Sequence, residues 1–189
     1  MLKDLLIKNR SYRKYEERER LTKEDLLELI DYTRYTASTV NFQALKFKPV
    51  CEKEDNEAMF SFLRFAGLLK GKGTPPEGMR PTCYIIILCD SGIAKDLKYD
   101  AGIAAQTILL GAVEKGFGGC MLGSIERDKV FDYFRIDKER FTIELVIALG
   151  KPDENIILTE VGDDGSTAYY RDEDGNHYVP KRKLEDIIL

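Results

Sequence analysis

Two arginines bracket a serine near the start of the chain, in Asn9-Arg10-Ser11-Tyr12-Arg13-Lys14-Tyr15. A guanidinium is a planar fork that matches phosphate oxygens, and the hydroxyl adds another donor. Basic residues at the end of a helix also stabilise its negative C-terminal dipole, and on this segment alone that plainer role is favoured. A second cluster is Ala37-Ser38-Thr39-Val40-Asn41-Phe42-Gln43-Ala44-Leu45-Lys46-Phe47. Its carboxamides each carry a donor and an acceptor, which suits the mixed edge of a pyrimidine-like ring. Lys46 can set positive charge beside an electron-accepting heterocycle. Taken alone, the segment is a polar loop capping a helix ahead of a strand. A third cluster, Gly116-Phe117-Gly118-Gly119-Cys120-Met121-Leu122-Gly123, lacks the Gly-x-Gly-x-x-Gly spacing and follows a helix, so it is no dinucleotide fingerprint. It remains a stretch where backbone N–H groups can approach a flat ligand. The fourth, Pro180-Lys181-Arg182-Lys183, puts cations at the start of an expected last helix, where they oppose the dipole. A bound phosphate or a solvated patch accounts for it equally well.

Composition removes several other chemistries. His177 is the only histidine, which argues against histidine metal clusters and against Ser-His-Asp or Cys-His hydrolysis. Cys51, Cys83, Cys89 and Cys120 include no Cys-x-x-Cys pair and read as free thiols in a reducing cytosol. The expected metal complement is therefore none, and an external cofactor would carry any chemistry. With 29 Lys plus Arg against 33 Asp plus Glu, the net charge of −4 argues against nucleic-acid binding. No apolar run approaches the ~20 residues that span a bilayer, and Met-Leu-Lys-Asp-Leu-Leu-Ile-Lys is too charged for a signal peptide. The expected location is cytoplasmic.

The elements that must position these clusters follow from periodicity. A helix is expected at 2–9, and another from an N-cap at Thr22, with Asp25 in the capping-box position, to about 35. A strand is expected at 47–51, a helix at 56–69 and a Gly/Pro-rich loop at 71–81. Residues 82–89 read as a central strand. The helix at 101–115 is apolar nearly all round and should be buried. A second central strand runs over 143–149, ended by Gly150 and Pro152. Beyond it lie a hairpin, with Asp174-Gly175 at its turn, and a last short helix after Pro180. The sum is an α+β fold with a mixed, largely antiparallel sheet. Residues 1–152 form the core. Residues 153–189 form a C-terminal arm of the same domain, too poor in apolar residues for a core of its own.

The order of the motifs resembles the nitroreductase family from end to end. That family has an Arg-Ser-x-Arg-x-aromatic motif, then a Pro-Ser-x-x-Asn-x-Gln-Pro-aromatic-Arg/Lys-aromatic motif. An Asp follows that opens a long apolar helix, then a Gly-rich turn, a strand ending Gly-x-Pro, and a basic pair near the end. Arg10 to Tyr15, Ala37 to Phe47, Asp100 to Gly123, Ala148 to Pro152, and Lys181 with Arg182 are similar to these in turn. Ala37, Ala44 and Leu45 depart from the second motif. The resemblance implies a homodimeric FMN protein with the cofactor at the subunit interface and the C-terminal arm crossing to the partner subunit. It implies Arg10, Ser11 and Arg182 at the FMN phosphate, with Lys181 nearby. Arg13 and Lys46 would lie by the N1/C2=O edge, and Leu122 and Gly123 would give backbone to the N5/O4 side. Ser38, Asn41 and Gln43 would reach in from the opposite subunit. It further implies NADH or NADPH as donor and a small electron-poor acceptor, such as a nitroaromatic or quinone. A flavin-binding protein without turnover, for storage or sensing, and a non-flavin interaction module remain the alternatives.

Overall fold

A computed structural model of the chain describes residues 1–65, 73–95, 97 and 99–189. Its centre is an antiparallel sheet in the order β2 (Leu45–Val50), β3 (Cys83–Asp90), β5 (Phe141–Pro152). The far edge of β5 is shared by β4 (Gly118–Leu122), on residues 146–150, and by β1 (Tyr15–Glu16), on residues 151–152. Every strand pairing of this central sheet is antiparallel. The expectation of a mixed sheet is met instead in the arm, where β6 (Ile156–Glu160) runs parallel to β8 (His177–Lys181) and β7 (Tyr170–Arg171) antiparallel to it.

β3 is buried along its whole length, as its run of Tyr-Ile-Ile-Ile-Leu requires. Alternate residues feed two cores. Ile85 and Ile87 join α2 (Lys23–Tyr32) and α4 (Asp100–Glu114) on one face. Tyr84, Ile86 and Leu88 join α3 (Lys53–Ser61) and α5 (Arg127–Phe134) on the other. α2 starts at the expected capping box: Asp25 N donates to Thr22 Oγ1 at 3.1 Å, and Thr22 N donates to Asp25 Oδ2 at 2.9 Å. α1 (Leu2–Lys8) packs against α4.

The structure corrects several sequence expectations. α3 ends at Ser61, and residues 66–72, which include parts of the expected 56–69 helix and 71–81 loop, lie outside the described residues. β1, α5 and β6 were not anticipated. The second central strand does not stop at Gly150 but continues to Pro152, because β1 supplies partners there. α4 buries Ala101, Ala104, Ala105, Ile108, Leu109 and Ala112, yet leaves Gly102 and Ile103 exposed, so one of its apolar faces is uncovered. The hairpin forms with Arg171 opposite His177 and Gly175 at φ +83°, a conformation glycine adopts without strain. The expected last helix is only a turn, in which Ile187 N donates to Leu184 O at 3.2 Å. Cys83, Cys89 and Cys120 are buried and Cys51 is half-buried, all as free thiols. Burial pushes the Cys83 thiol up to about 11.

Candidate functional site

The N-terminal segment after α1 is stitched into the fold on both sides. Tyr12 N donates to Gly119 O at 3.1 Å, Asp153 N donates to Lys14 O at 2.9 Å, and Arg13 N donates to Glu154. The glycines of the third cluster make this close approach possible. A Cβ at Gly118 would stand 2.6 Å from the Tyr12 ring, and one at Gly119 only 2.3 Å from Ala148 O. These two glycines therefore serve close packing within the chain. Gly116, at φ +81°, turns the chain out of α4.

The result is a cleft of about 300 Å³ between this segment, α4, β4 and the arm. Asn9, Arg10, Ser11 and Arg13 form one wall, and Gln106, Leu109 and Met121 another. Ile156, Tyr169, His177, Val179 and Lys181 close it from the arm. Among the described residues the lining carries three fixed cations, Arg10, Arg13 and Lys181, and no carboxylate. Arg10 Nη2 caps α1 by donating to Leu6 O at 2.6 Å, so the helix-dipole role holds for part of the guanidinium. Its Nε, and that of Arg13, are buried without a partner among the described residues. A buried donor left unpaired costs about 1–3 kcal/mol, so these groups suit an anionic ligand that would accept from them. The fit extends to a ring: Leu109, Met121, Ile156 and Val179 give the cleft apolar surface beside its cationic end. Those are the two requirements of FMN, a phosphate and a flat heterocycle.

Behind the cleft lies a buried ionic cluster. The Glu154 side chain is 1% exposed and accepts from Arg171 Nη2 at 2.5 Å as well as from Arg13 N. His177 Nδ1 is 3.8 Å from Glu154 Oε2. The Arg13 guanidinium lies over the Tyr169 ring at 5.3 Å, and the same ring meets His177 edge-on.

A second cleft, of about 170 Å³, gathers Ser38, Asn41 and Gln43 with Arg34, Leu45, Phe47 and Ala104. Its organiser is Asp100, the first residue of α4, which is buried. Asp100 accepts from Ser38 Oγ at 2.7 Å, Thr39 Oγ1 at 2.6 Å and Thr39 N at 3.0 Å. Burial pushes the carboxyl up, but the bonds from Thr39 and Ser38 outweigh it and hold it below its ordinary value. Ser38 Oγ in turn accepts from Gln43 N at 3.0 Å, and Gln43 Nε2 donates to Asn41 Oδ1 at 3.1 Å. The loop holds Val40, Asn41 and Gln43 at positive φ. For a β-branched residue such as Val40 that is a strained backbone.

The candidate residues thus fall into two groups on the two sides of α4. Arg10, Ser11, Arg13 and Lys181 share the first cleft, and Ser38, Asn41 and Gln43 share the second. Four candidates line neither: Lys46, Leu122, Gly123 and Arg182. Strand pleating explains three of them, since successive side chains point to opposite faces. Leu45 and Phe47 pack against one core and Lys46 alternates away from them. Met121 turns to the first cleft and Leu122 to the opposite core. His177, Val179 and Lys181 share one face of β8, which leaves Arg182 beyond the strand and exposed. Gly123 has open space about its Cα. Sequence reasoning missed His177, Glu154, Arg171 and Asp100 as site residues. The alternation along β8 was the signal that could have found His177.

The family model described as "Nitroreductase family" matches residues 80–151, which takes in β3, α4, β4, α5 and nearly all of β5. The fold is that of the nitroreductases. A structure from Desulfovibrio desulfuricans, provisionally described as a nitroreductase and solved with FMN, covers 100% of this chain and 95% of its own at 18% identity and TM-score 0.71. An enone reductase of gut-bacterial fatty-acid saturation shares 15% identity over 89% of this chain and 97% of its own, at TM-score 0.70. An FMN-dependent nitroreductase from Clostridium difficile R20291 shares 24% over 80% and 87%, at TM-score 0.64. No curated protein matches by sequence. The family resemblance drawn from the motif order therefore holds. The nitroreductase match spans the scaffold but leaves out Arg10, Arg13, Ser38, Asn41, Gln43 and Lys181.

Proposed function

We propose that the chain is an FMN-dependent oxidoreductase that works as a homodimer. It would pass reducing equivalents from NADH or NADPH to a small electron-poor acceptor such as a nitroaromatic or quinone. The observation that carries this reading is the first cleft: three cations, no carboxylate, two buried guanidinium nitrogens without partners, and apolar surface alongside. FMN supplies the two-electron chemistry when bound. The residues bind and orient: Arg10 and Lys181, with the Ser11 hydroxyl, would hold the phosphate, Arg13 would join them there rather than at the N1/C2=O edge that the resemblance implies, and Arg182 would reach it only by moving from its exposed position. Leu109, Met121, Ile156 and Val179 would exclude water from one face of the ring.

The second cleft, on the other side of α4, would belong to a site completed by another copy. Support comes from apolar side chains left in the open: Leu2, Leu6 and Ile7 on α1, Ile103 on α4, and Leu184, Ile187 and Ile188 at the end of the arm. A second subunit laid on α1 and α4 would cover them, bring Ser38, Asn41 and Gln43 to its partner's cofactor, and receive the residues after Lys181. Neighbours described as an FMN-dependent nitroreductase and an NAD(P)H nitroreductase agree with this class of reaction.

The test is the visible spectrum of the purified protein before and after FMN reconstitution, with acid release to identify the flavin. Bound FMN bleached by NADH or NADPH is the expected result. Release of FAD, or no flavin bound after reconstitution, overturns the reading. A flavin that is bound but bleached by neither nicotinamide selects a binding protein over a reductase.

A further inference from the structure

His177 is the chain's one histidine, it is 1% exposed, and both ring nitrogens lack a hydrogen-bond partner among the described residues although it lines the cationic cleft. A neutral imidazole has one donor and one acceptor, and leaving both unused in a buried position is costly. We propose that His177 is a further ligand of the anionic group held in this cleft, binding a proton from solvent as the anion enters. Its Nε2–H would be offered to the anion and its Nδ1–H to Glu154. The inference rests on the proposed FMN site and adds to it a proton-linked phosphate contact from the arm.

The charges around the ring explain why ligand and proton arrive together. Arg171 on β7 and Arg13 on the N-terminal segment both face His177, as does Glu154 in the turn between β5 and β6. Lys181 stands on the same face of β8, Arg10 closes the opposite wall, and Tyr169 packs its ring edge-on. Burial, Arg171 and Arg13 hold the imidazole below its ordinary value, against the opposing pull of Glu154. Glu154 is already engaged by Arg171 and by the Arg13 backbone, so it does not balance a further cation alone. A phosphate in the cleft adds the missing negative charge. An opposite charge within ~4–6 Å raises a histidine by about one to three units. By linkage, each unit of that rise corresponds to about tenfold tighter binding below the free-state value than above the bound-state value.

Having a single histidine makes the test direct. The 15N-imidazole signals of the full chain report one residue, titrated by NMR in the free protein, with FMN, and with riboflavin, which lacks the phosphate. The expected result is a midpoint below 6.5 in the free protein, raised by about one unit or more with FMN and unmoved with riboflavin. A midpoint that FMN does not move, or that riboflavin moves equally, overturns the inference while leaving the FMN reading intact. Failure of FMN to bind overturns the FMN reading itself. A second measurement is proton uptake on FMN binding, from calorimetry in buffers of different ionisation heat, for wild type and His177→Asn. The phosphate's own ionisation is common to both, so equal uptake in the two overturns the proposal. If the variant does not fold, the wild-type titration decides.

Discussion

The two clefts beside α4 are built on opposite principles. In the first, charge is in excess: three cations face the cavity, and buried nitrogens of Arg10, Arg13 and His177 have no acceptor. In the second, the polar groups are satisfied internally. Asp100 takes the donors of Ser38 and Thr39, and Gln43 is tied to Ser38 and Asn41. The first is incomplete without an anion. The second is assembled in advance, with its strain stored in Val40, Asn41 and Gln43, and presents an exposed rim to whatever docks on it. A binding site divided between subunits needs both kinds of half: one that attracts the ligand, and one rigid enough to meet it without ordering on arrival.

That contrast is broken most severely by separating the halves. One variant would carry Arg10→Ala with Arg13→Ala, the other Ser38→Ala with Asn41→Ala. Each should retain little FMN by itself. Unfolded together and refolded, random pairing in a two-fold dimer makes half the dimers mixed, with one intact site of two, so about one quarter of the wild-type flavin should return. Flavin absorbance after gel filtration measures it. No recovery would mean that both halves of each site come from one subunit.

The next effect is on stability. Among the described residues the largely buried Arg171 side chain donates only to Glu154 and to Gly175 O. Glu154→Gln removes the counter-charge, which for a buried pair costs about 3–5 kcal/mol, read by urea denaturation. Saturating FMN should raise the stability of wild type and variant alike by mass action.

A smaller loss is expected in the second cleft. Asp100→Asn should cost about 1–3 kcal/mol, since an amide nitrogen cannot accept what the carboxylate does. The sign with pH follows from the lowered carboxyl: its contribution is full above the unfolded value of 3.8 and fades as pH falls through the lower folded value. The gap between wild type and variant should therefore be wide at pH 7 and narrow in acid, measured by denaturation at both. A gap independent of pH would mean that Asp100 acts by shape alone.

Much of the scaffold was legible in the sequence because its signals are local. The capping box at Thr22 and Asp25, the apolar run of β3, the Asp174-Gly175 turn and the apolar helix from 101 each depend on neighbours in the chain. What escaped depended on partners far away. β1 is two residues long and exists only because β5 has room beyond Gly150. Glu154 looks like one more surface acid until Arg171 and the Arg13 backbone converge on it. The candidate site was legible as a set of segments but not residue by residue. Lys181 rather than Arg182 reaches the cleft, because which of two neighbours faces it depends on strand register.

The place of β5 in the chain also governs how the protein can be made. β3 has partners on both sides, β2 before it and β5 after it. On a ribosome the β2–β3 pair can close early, but about 50 further residues must be polymerised before β5 begins, roughly 3–10 s at ordinary translation rates. During that interval the most apolar strand of the molecule has one open edge. The newborn chain therefore passes through a stage at which that edge is open to pairing with other chains, and that stage ends only when the strand that joins β1, β3 and β4 has emerged.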